Sequence, residues 1–219
     1  MTAPAAARPT GPLPLHEALA GIEPPVSSAA YEQLAKLFSM LGAWKGAGIV
    51  GFRSPEDLAR HYFREALHLR GLLPERGPLL DIGSGGGTPA LPLALAGTAE
   101  WVLLEPRRAS GAFLEMAIDG LGLTGRVHVV RQRLKEYLRS EAGRAGLARV
   151  SAVTMRAVKL QAAEWNLLAA GMPAGAPVIW PTSRPARERA ELKVGLFDEE
   201  LVTAERGVVW VGRPRKASP

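Results

Sequence analysis

The residues best placed to do chemistry in this 219-residue chain lie in the stretch LLDIGSGGGTPALPLALAG, which begins at Leu79. Its closely spaced glycines would let the backbone approach a ligand where a strand turns into a helix. A phosphate-binding P-loop would end in Gly-Lys-Ser or Gly-Lys-Thr, and the stretch contains no lysine. The dinucleotide fingerprint fits only in its relaxed form, from Gly85 to Ala90, so a dinucleotide site and a plain flexible turn both stay open.

A third ligand fits the same stretch better, because an aspartate precedes the glycines. The pattern Asp-x-Gly-x-Gly-x-Gly runs from Asp81 to Gly87 and resembles the first motif of S-adenosylmethionine-dependent methyltransferases. A carboxylate at the end of a strand suits the cationic amino acid end of that cofactor. The run WVLLE ends in Glu105, whose carboxylate can accept hydrogen bonds from both hydroxyls of a ribose, although it would serve NAD equally well.

The surrounding chain predicts the elements that would hold these residues. Short apolar runs predict strands, and the amphipathic segments between them predict helices. The predicted strands cover 79–82, 101–104, 127–130, 150–154 and 177–180, and the predicted helices cover about 88–96, 107–121, 132–144 and 157–170. This alternation indicates a doubly wound α/β domain whose mostly parallel, Rossmann-like sheet binds ligands beyond the carboxyl ends of its strands. KVGLFDEELV and GVVWVGRP predict an antiparallel pair of C-terminal strands.

The N-terminal part of the chain has a different character. Residues 1–26 are rich in alanine and proline, and we expect them to form a mobile arm. Helical spacing begins after Ser27, and a second helix begins after Ser54, an N-cap residue followed by a proline at the first helical position. We therefore predict a single domain over residues 27–219, with a helical cap over 27–75 and an α/β core over 76–219.

Composition limits the classes of protein to which the chain can belong. The chain has no cysteine, which excludes disulfides and thiolate chemistry, and its apolar fraction of 47% is enough for a core. The four histidines have no metal-ligand spacing, and no apolar run approaches the length of a membrane span. We expect a cytoplasmic protein, monomeric and without a metal. The net charge of +6 is compatible with a nucleic acid partner without requiring one.

Several stretches together are similar to one protein family. DIGSGGGTPALPLALA, FLEMAIDGLGL, RVHVVRQRLKEYL and TMRAVKL follow in order after the helical lead-in RHYFREAL. They resemble the GidB/RsmG family, bacterial methyltransferases that modify N7 of one guanine in the 16S ribosomal RNA of the small subunit. The resemblance covers about residues 30–180, and its most distinctive elements are Pro89 and the Arg-Ala-Val at 156–158.

The motif and the resemblance together imply a set of cofactor-binding residues. Those in the loop and at the second strand are Asp81, Gly83, Ser84, Gly85, Gly87, Thr88 and Glu105. After the third strand, the backbone of Leu134 and Lys135 would flank the adenine of S-adenosyl-L-methionine. Arg156 would face both cofactor and target and would position the target base. Guanine N7 carries an exposed lone pair, so no general base is expected.

The chain departs from the family pattern at positions close to the expected RNA side. The loop aromatic is replaced by Thr88 and the following glycine by Ala90. The acidic residue after the third strand is replaced by Lys135, and the Lys-Gly that commonly ends the fifth strand is replaced by WPTS, which includes Pro181. These departures leave two alternatives to a 16S ribosomal RNA methyltransferase. One is a methyltransferase for another RNA or a small molecule, and the other is a non-catalytic ribosome-assembly or RNA-binding relative.

The expected partner, 16S ribosomal RNA or the small subunit, requires basic residues that contact phosphates. The candidates are Arg60, Arg64 and Arg70 of the second predicted helix and the basic segments TSRPARERAELK and GRPRKASP. Each of these arginines and segments could equally well be ordinary solvent-exposed surface without a nucleic acid partner.

Overall fold

The computed structural model describes residues 11–44, 48–182, 195–204 and 207–215. Its centre is a sheet of seven strands in the order β3-β2-β1-β4-β5-β7-β6. The strands are β1 Pro78–Ile82, β2 Glu100–Leu104, β3 Val127–Val130, β4 Ala152–Met155, β5 Val178–Thr182, β6 Phe197–Thr203 and β7 Val208–Pro214. Strands β1 to β5 are parallel, and β7 pairs antiparallel with both β5 and β6.

Helices cover both faces of this sheet. They are α1 Leu13–Leu19, α2 Ser28–Ala43, α3 Pro55–Leu58, α4 Glu65–Leu67, α5 Ala90–Ala96, α6 Arg108–Gly120, α7 Leu134–Tyr137, α8 Glu141–Leu147 and α9 Ala162–Gly171. A π-helical turn, Ala59–Arg64, joins α3 to α4 in one continuous helical segment. The chain order reverses between β1 and β4, so the carboxyl ends of these two strands form the switch point at which doubly wound sheets bind ligands.

The central strands β1 and β4 are buried on both faces, which explains their continuous apolar character. Leu79 and Trp101 belong to one core cluster, which also contains residues of α5, of α6 and of the helical cap, including α2. Leu80 and Ile82, the alternate residues of β1, belong to the opposite cluster, which contains α9 and the β7 residue Trp210. The helical cap therefore packs on the same face of the sheet as α5 and α6, beside the glycine-rich loop that connects β1 to α5.

The predicted fold class is confirmed, and the departures from the predicted elements are local. The pattern over 132–144 forms two helices instead of one, because the Ser140 hydroxyl accepts a hydrogen bond from the Gly143 amide at 2.9 Å and caps a new helix. The helix predicted from residue 157 begins only at Ala162, because Ala157 has a left-handed backbone with φ of 55°. The sequence pattern contains no feature that distinguishes such a residue.

Residues 11–26 differ from the mobile arm that we expected over residues 1–26. They include helix α1, and Leu15 and Ile22 are buried in the core. Two arginines tie this segment to the cap: Arg64 Nη1 donates to the carbonyls of Ala18 and Ala20 at 2.6 and 2.9 Å, and Arg70 donates to the carbonyl of Pro24. Two of the three arginines proposed for phosphate contact are thus engaged within the fold. The remainder of the arm, residues 1–10, lies outside the described residues.

We predict that Arg64→Ala lowers the free energy of unfolding by about 1–2 kcal/mol, because two carbonyls lose a charged donor. Arg60→Ala, one turn earlier on the same helical segment, removes an exposed arginine and should change stability by less than about 0.5 kcal/mol. Urea denaturation followed by circular dichroism measures both. Equal effects of the two substitutions would show that Arg64 does not anchor the N-terminal segment.

Candidate functional site

The glycine-rich loop leaves β1 in a conformation that requires glycine. Gly83, Gly85 and Gly87 have φ values of 71°, 55° and 97°, in the left-handed region that L side chains rarely adopt. The amides of Gly83 and Ser84 donate to the carbonyl of Leu104 at 2.8 and 3.1 Å, which attaches the loop to the end of the neighbouring strand β2. The loop is therefore a hydrogen-bonded turn, which argues against the plain flexible turn that the sequence left open.

Glu105 holds the same loop from the end of β2. The residue is only 2% exposed. Its carboxylate accepts a hydrogen bond from the Gly85 amide at 2.6 Å and two from Arg107, from the backbone amide at 2.8 Å and from Nε at 3.2 Å. Glu105 thus lies beside the loop, as the sequence predicted, and it fixes the backbone of the loop in addition to any contact with a ribose.

Asp81 is buried beneath the loop and is not exposed at the strand tip. Its Oδ1 accepts a hydrogen bond from the Thr154 hydroxyl of β4 at 2.6 Å, while its Oδ2 is buried without a hydrogen-bond partner among the described residues. Burial raises the pKa of this carboxyl to about 7; hydrogen bonds from Thr154 and Ser84 oppose the shift, and the nearby charge of Glu105 adds to it. A buried unpaired acceptor indicates a place for a donor from a ligand or from water.

The helical cap supports the outer side of the loop. The Tyr62 hydroxyl, fully buried, donates to the carbonyl of Gly86 at 2.6 Å, and the Thr88 hydroxyl donates to the carbonyl of Tyr62 at 3.1 Å. Burial raises the pKa of Tyr62 well above its usual value, and the charge of Asp81 adds to the shift, so the phenol remains a neutral donor. Val50 lies so close to Gly86 that an added Cβ would be 2.6 Å from its Cγ1.

Arg156 follows β4 directly and joins the cap to the loop. Its guanidinium donates to the carbonyl of His61, to the Thr88 hydroxyl at 3.4 Å and to Glu65 Oε2 at 2.8 Å. The other oxygen of Glu65 is 2.6 Å from Nδ1 of His61. The side chain of Arg156 is 25% exposed, so it lies at the surface of the site while three acceptors restrict its orientation.

A cavity of about 420 Å³ opens at the carboxyl ends of β1, β2 and β3. Its volume falls within the range of about 300–1,000 Å³ that is usual for cofactor and ligand pockets. Gly83 lies on one wall, Leu134 and Lys135 on the opposite wall, and Val158 and Leu160 on the β4 side. Three residues of the predicted cofactor set therefore line one cavity, between the glycine-rich loop and the start of α7.

The other seven members of the predicted set are not among the residues that line this cavity. Asp81, Ser84 and Glu105 are buried under or beside the loop, Gly85 and Gly87 belong to the loop itself, and Thr88 and Arg156 lie on the cap side. Tyr62 and Glu65 were not among the predicted site residues, although both belong to the segment RHYFREAL. The two residues are three positions apart on a helical segment, which predicts that their side chains lie on the same face. Their partners could not be identified from the sequence, because they lie far along the chain.

The described part of the chain contains no helix with the length and apolarity of a membrane span. It also contains no group of three or more histidine, cysteine, aspartate or glutamate side chains arranged to hold a metal ion.

Comparison with known proteins identifies a family model and several curated relatives that match this chain. The family model GidB, described as rRNA small subunit methyltransferase G, matches residues 30–171. The ribosomal RNA small subunit methyltransferase G of Rubrobacter xylanophilus is 31% identical over 190 residues, which cover 84% of this chain and 67% of the relative. The protein of the same name from Mycobacterium avium is 37% identical over 139 residues, 56% of each chain. The chain thus spans between about half and two thirds of the length of these curated relatives.

Solved structures share the fold at low sequence identity. A putative S-adenosyl-L-methionine-dependent methyltransferase from Methanococcus maripaludis superposes with a TM-score of 0.63 and 11% identity, covering 83% of this chain and 93% of that one. A methyltransferase from Geobacter sulfurreducens superposes with a TM-score of 0.57 and 18% identity, covering 89% of this chain and all of that one. These similarities support the architecture of the sheet.

Asp81→Asn should reveal the raised pKa of the buried carboxyl as a pH-dependent stability difference. The folded chain keeps the Asp81 proton up to about pH 7, whereas the unfolded chain releases it above about pH 4, so the wild type loses stability relative to the variant as the pH rises between these values. We expect the free energy of unfolding of the variant, relative to that of the wild type, to be about 2–3 kcal/mol higher at pH 8 than at pH 5. Urea denaturation at both pH values measures it, and a pH-independent difference would contradict the assignment.

Proposed function

Because the chain belongs to the GidB family of small-subunit ribosomal RNA methyltransferases, we propose that it transfers a methyl group from S-adenosyl-L-methionine to N7 of a guanine in 16S ribosomal RNA. The observation that carries the proposal is the cavity beside the glycine-rich loop, at the switch point of the sheet. We further propose that the protein acts in the cytoplasm, on 16S ribosomal RNA or the small subunit.

The residues around the cavity fit this cofactor in shape and in chemistry. The cavity is large enough for an adenosine, and the apolar side chains of Leu134 and Val158 suit an adenine ring. Asp81 offers a buried, unpaired carboxylate oxygen to a cationic amino acid end, and Glu105 offers acceptors to a ribose. Gly83 brings its backbone next to the cavity, because an added Cβ would lie 2.5 Å from Val158 Cγ2.

The chemical step needs little from the protein beyond position. Bound S-adenosyl-L-methionine supplies an activated methyl group, and guanine N7 supplies a lone pair that requires no general base. The task of the chain is to hold the base in line with the methyl group, at about 3–3.5 Å. Arg156 is suited to this task, because the contacts with Glu65, Thr88 and the His61 carbonyl fix its guanidinium at the edge of the site. A planar guanidinium can stack on an extruded base and hydrogen-bond to its edge.

Gly83→Ala should weaken cofactor binding by about tenfold, a loss of about 1.4 kcal/mol, because the new Cβ would lie 2.5 Å from Val158 Cγ2 and would displace that side chain from the cavity wall. Gly71→Ala is the matched control, because a Cβ at Gly71 meets no atom within 4 Å. Isothermal titration with S-adenosylhomocysteine measures both affinities, and thermal melting verifies that both variants are folded. Equal affinities in the two variants would argue against a cofactor site at this cavity.

The proposed reaction is tested by incubating the protein with methyl-labelled S-adenosyl-L-methionine and two substrates from a bacterial strain that lacks the modification. The substrates are intact small subunits and the 16S RNA extracted from them. We expect label in 7-methylguanosine, identified by nuclease digestion and mass spectrometry, from at least one substrate.

Label in another nucleotide would redefine the target and overturn the N7 proposal. Cofactor binding without transfer to either substrate would overturn the proposed activity and favour the non-catalytic relative.

A further inference from the structure

Exposed basic side chains gather at the carboxyl edge of the parallel sheet, around the mouth of the cavity. Two follow β2, three follow β3 and one follows β4. We call this group the basic rim; its members are Arg107, Arg108, Arg133, Lys135, Arg139 and Lys159. Four of the six also line the cavity. Because the carboxyl ends of parallel strands meet at one edge, basic residues from separate parts of the chain come together here and outnumber Glu136 and Glu164, the two carboxylates that line the same cavity.

The stability of the helices does not explain these positions. Arg107 is the N-cap residue of α6 and Arg108 its first residue, and the first turn of α6 contains no acidic residue. Arg133 is the N-cap residue of α7, a four-residue helix whose single turn contains both Lys135 and the acidic Glu136. A helix N-terminus carries partial positive charge, so cations there are unfavourable, and acidic residues or small polar caps are the stabilising choice. At the start of α6, Arg108 thus lies where helix stability alone disfavours a cation.

Arg107 is ion-paired, because its Nε donates to the buried Glu105 carboxylate at 3.2 Å, but other charges of the rim remain available to a partner. Arg108, Arg139 and Lys159 form no ion pair with any residue that the structure describes, and Glu136, the nearest carboxylate on α7, accepts the backbone amide of Arg133 at 3.0 Å. The arginines of the cap differ, since Arg64 and Arg70 donate to carbonyls of the N-terminal segment. The basic rim, unlike these two arginines of the cap, therefore has unpaired charges beside the cavity.

We propose that the basic rim binds the phosphate backbone of the RNA substrate and so directs the strand across the exits of β2, β3 and β4. This inference rests on the proposed function and adds the surface that the substrate covers. Arginine and lysine side chains around a groove are suited to phosphates, and the affinity that they provide is electrostatic and independent of sequence. A small neutral substrate would have no use for such a rim.

The test compares three variants in binding to a fluorescently labelled 16S RNA transcript, with S-adenosylhomocysteine present, between 50 and 300 mM KCl. The first replaces Arg108, Arg139 and Lys159 by alanine. The second replaces Arg108 and Arg139 by lysine, which keeps the charge. The third, the matched control, replaces Arg76 and Arg149 by alanine; these exposed arginines precede β1 and β4 at the amino edge of the sheet.

The triple alanine variant should lose about 2–3 units of the slope of log Kd against log salt concentration and bind at least about tenfold more weakly at 150 mM. The lysine variant and the amino-edge control should keep the wild-type slope. A wild-type slope in the triple variant, or an equal loss in the control, would overturn the proposal, as would a wild-type protein that does not bind the transcript. Methyl transfer by the wild-type protein, measured in parallel, separates this failure from that of the proposed function, because 7-methylguanosine formed by the wild type shows that the reaction occurs whether or not the rim binds phosphates.

Discussion

The site depends on one buried carboxylate, that of Glu105, at the end of β2. Burying a charged group is costly unless hydrogen bonds replace its hydration, and here the amides of Gly85 and Arg107 and the guanidinium of Arg107 provide them. Each of these donors belongs to a segment that follows a parallel strand, so the carboxylate is satisfied only if β1 and β2 lie in register. The loop conformation and the start of α6 are thereby coupled to the sheet.

The helical cap supplies the second support of the loop. Tyr62 contacts the loop twice. Its hydroxyl donates a hydrogen bond to the carbonyl of Gly86, and its own carbonyl accepts one from the Thr88 hydroxyl. Glu65, one turn further along, holds Arg156 after β4. A loop that is fixed on both sides requires little rearrangement on binding, which lowers the entropic cost of association. The cap is thus part of the site, although its sequence has no cofactor motif.

Much of this arrangement could be predicted from the sequence, because apolar runs, glycine spacing and caps are local signals. Strands β1 to β3 and the placement of Glu105 beside the glycine-rich loop follow from such signals and from the topology of doubly wound sheets. The partners of Arg156, the burial of Asp81 and the left-handed Ala157 could not be predicted, since each depends on residues distant in sequence. The resemblance to the family correctly identified the chain. The basic segment TSRPARERAELK lies largely outside the described residues, and GRPRKASP does so from residue 216 onward.

A crystal structure of the protein with S-adenosylhomocysteine would show whether the cavity between the glycine-rich loop and α7 holds the cofactor. We expect adenine density between Leu134 and Val158, a ribose beside Glu105, and the amino acid end toward Asp81. Ligand density elsewhere on the protein, or an adenosine bound with these side chains free of contact, would contradict it.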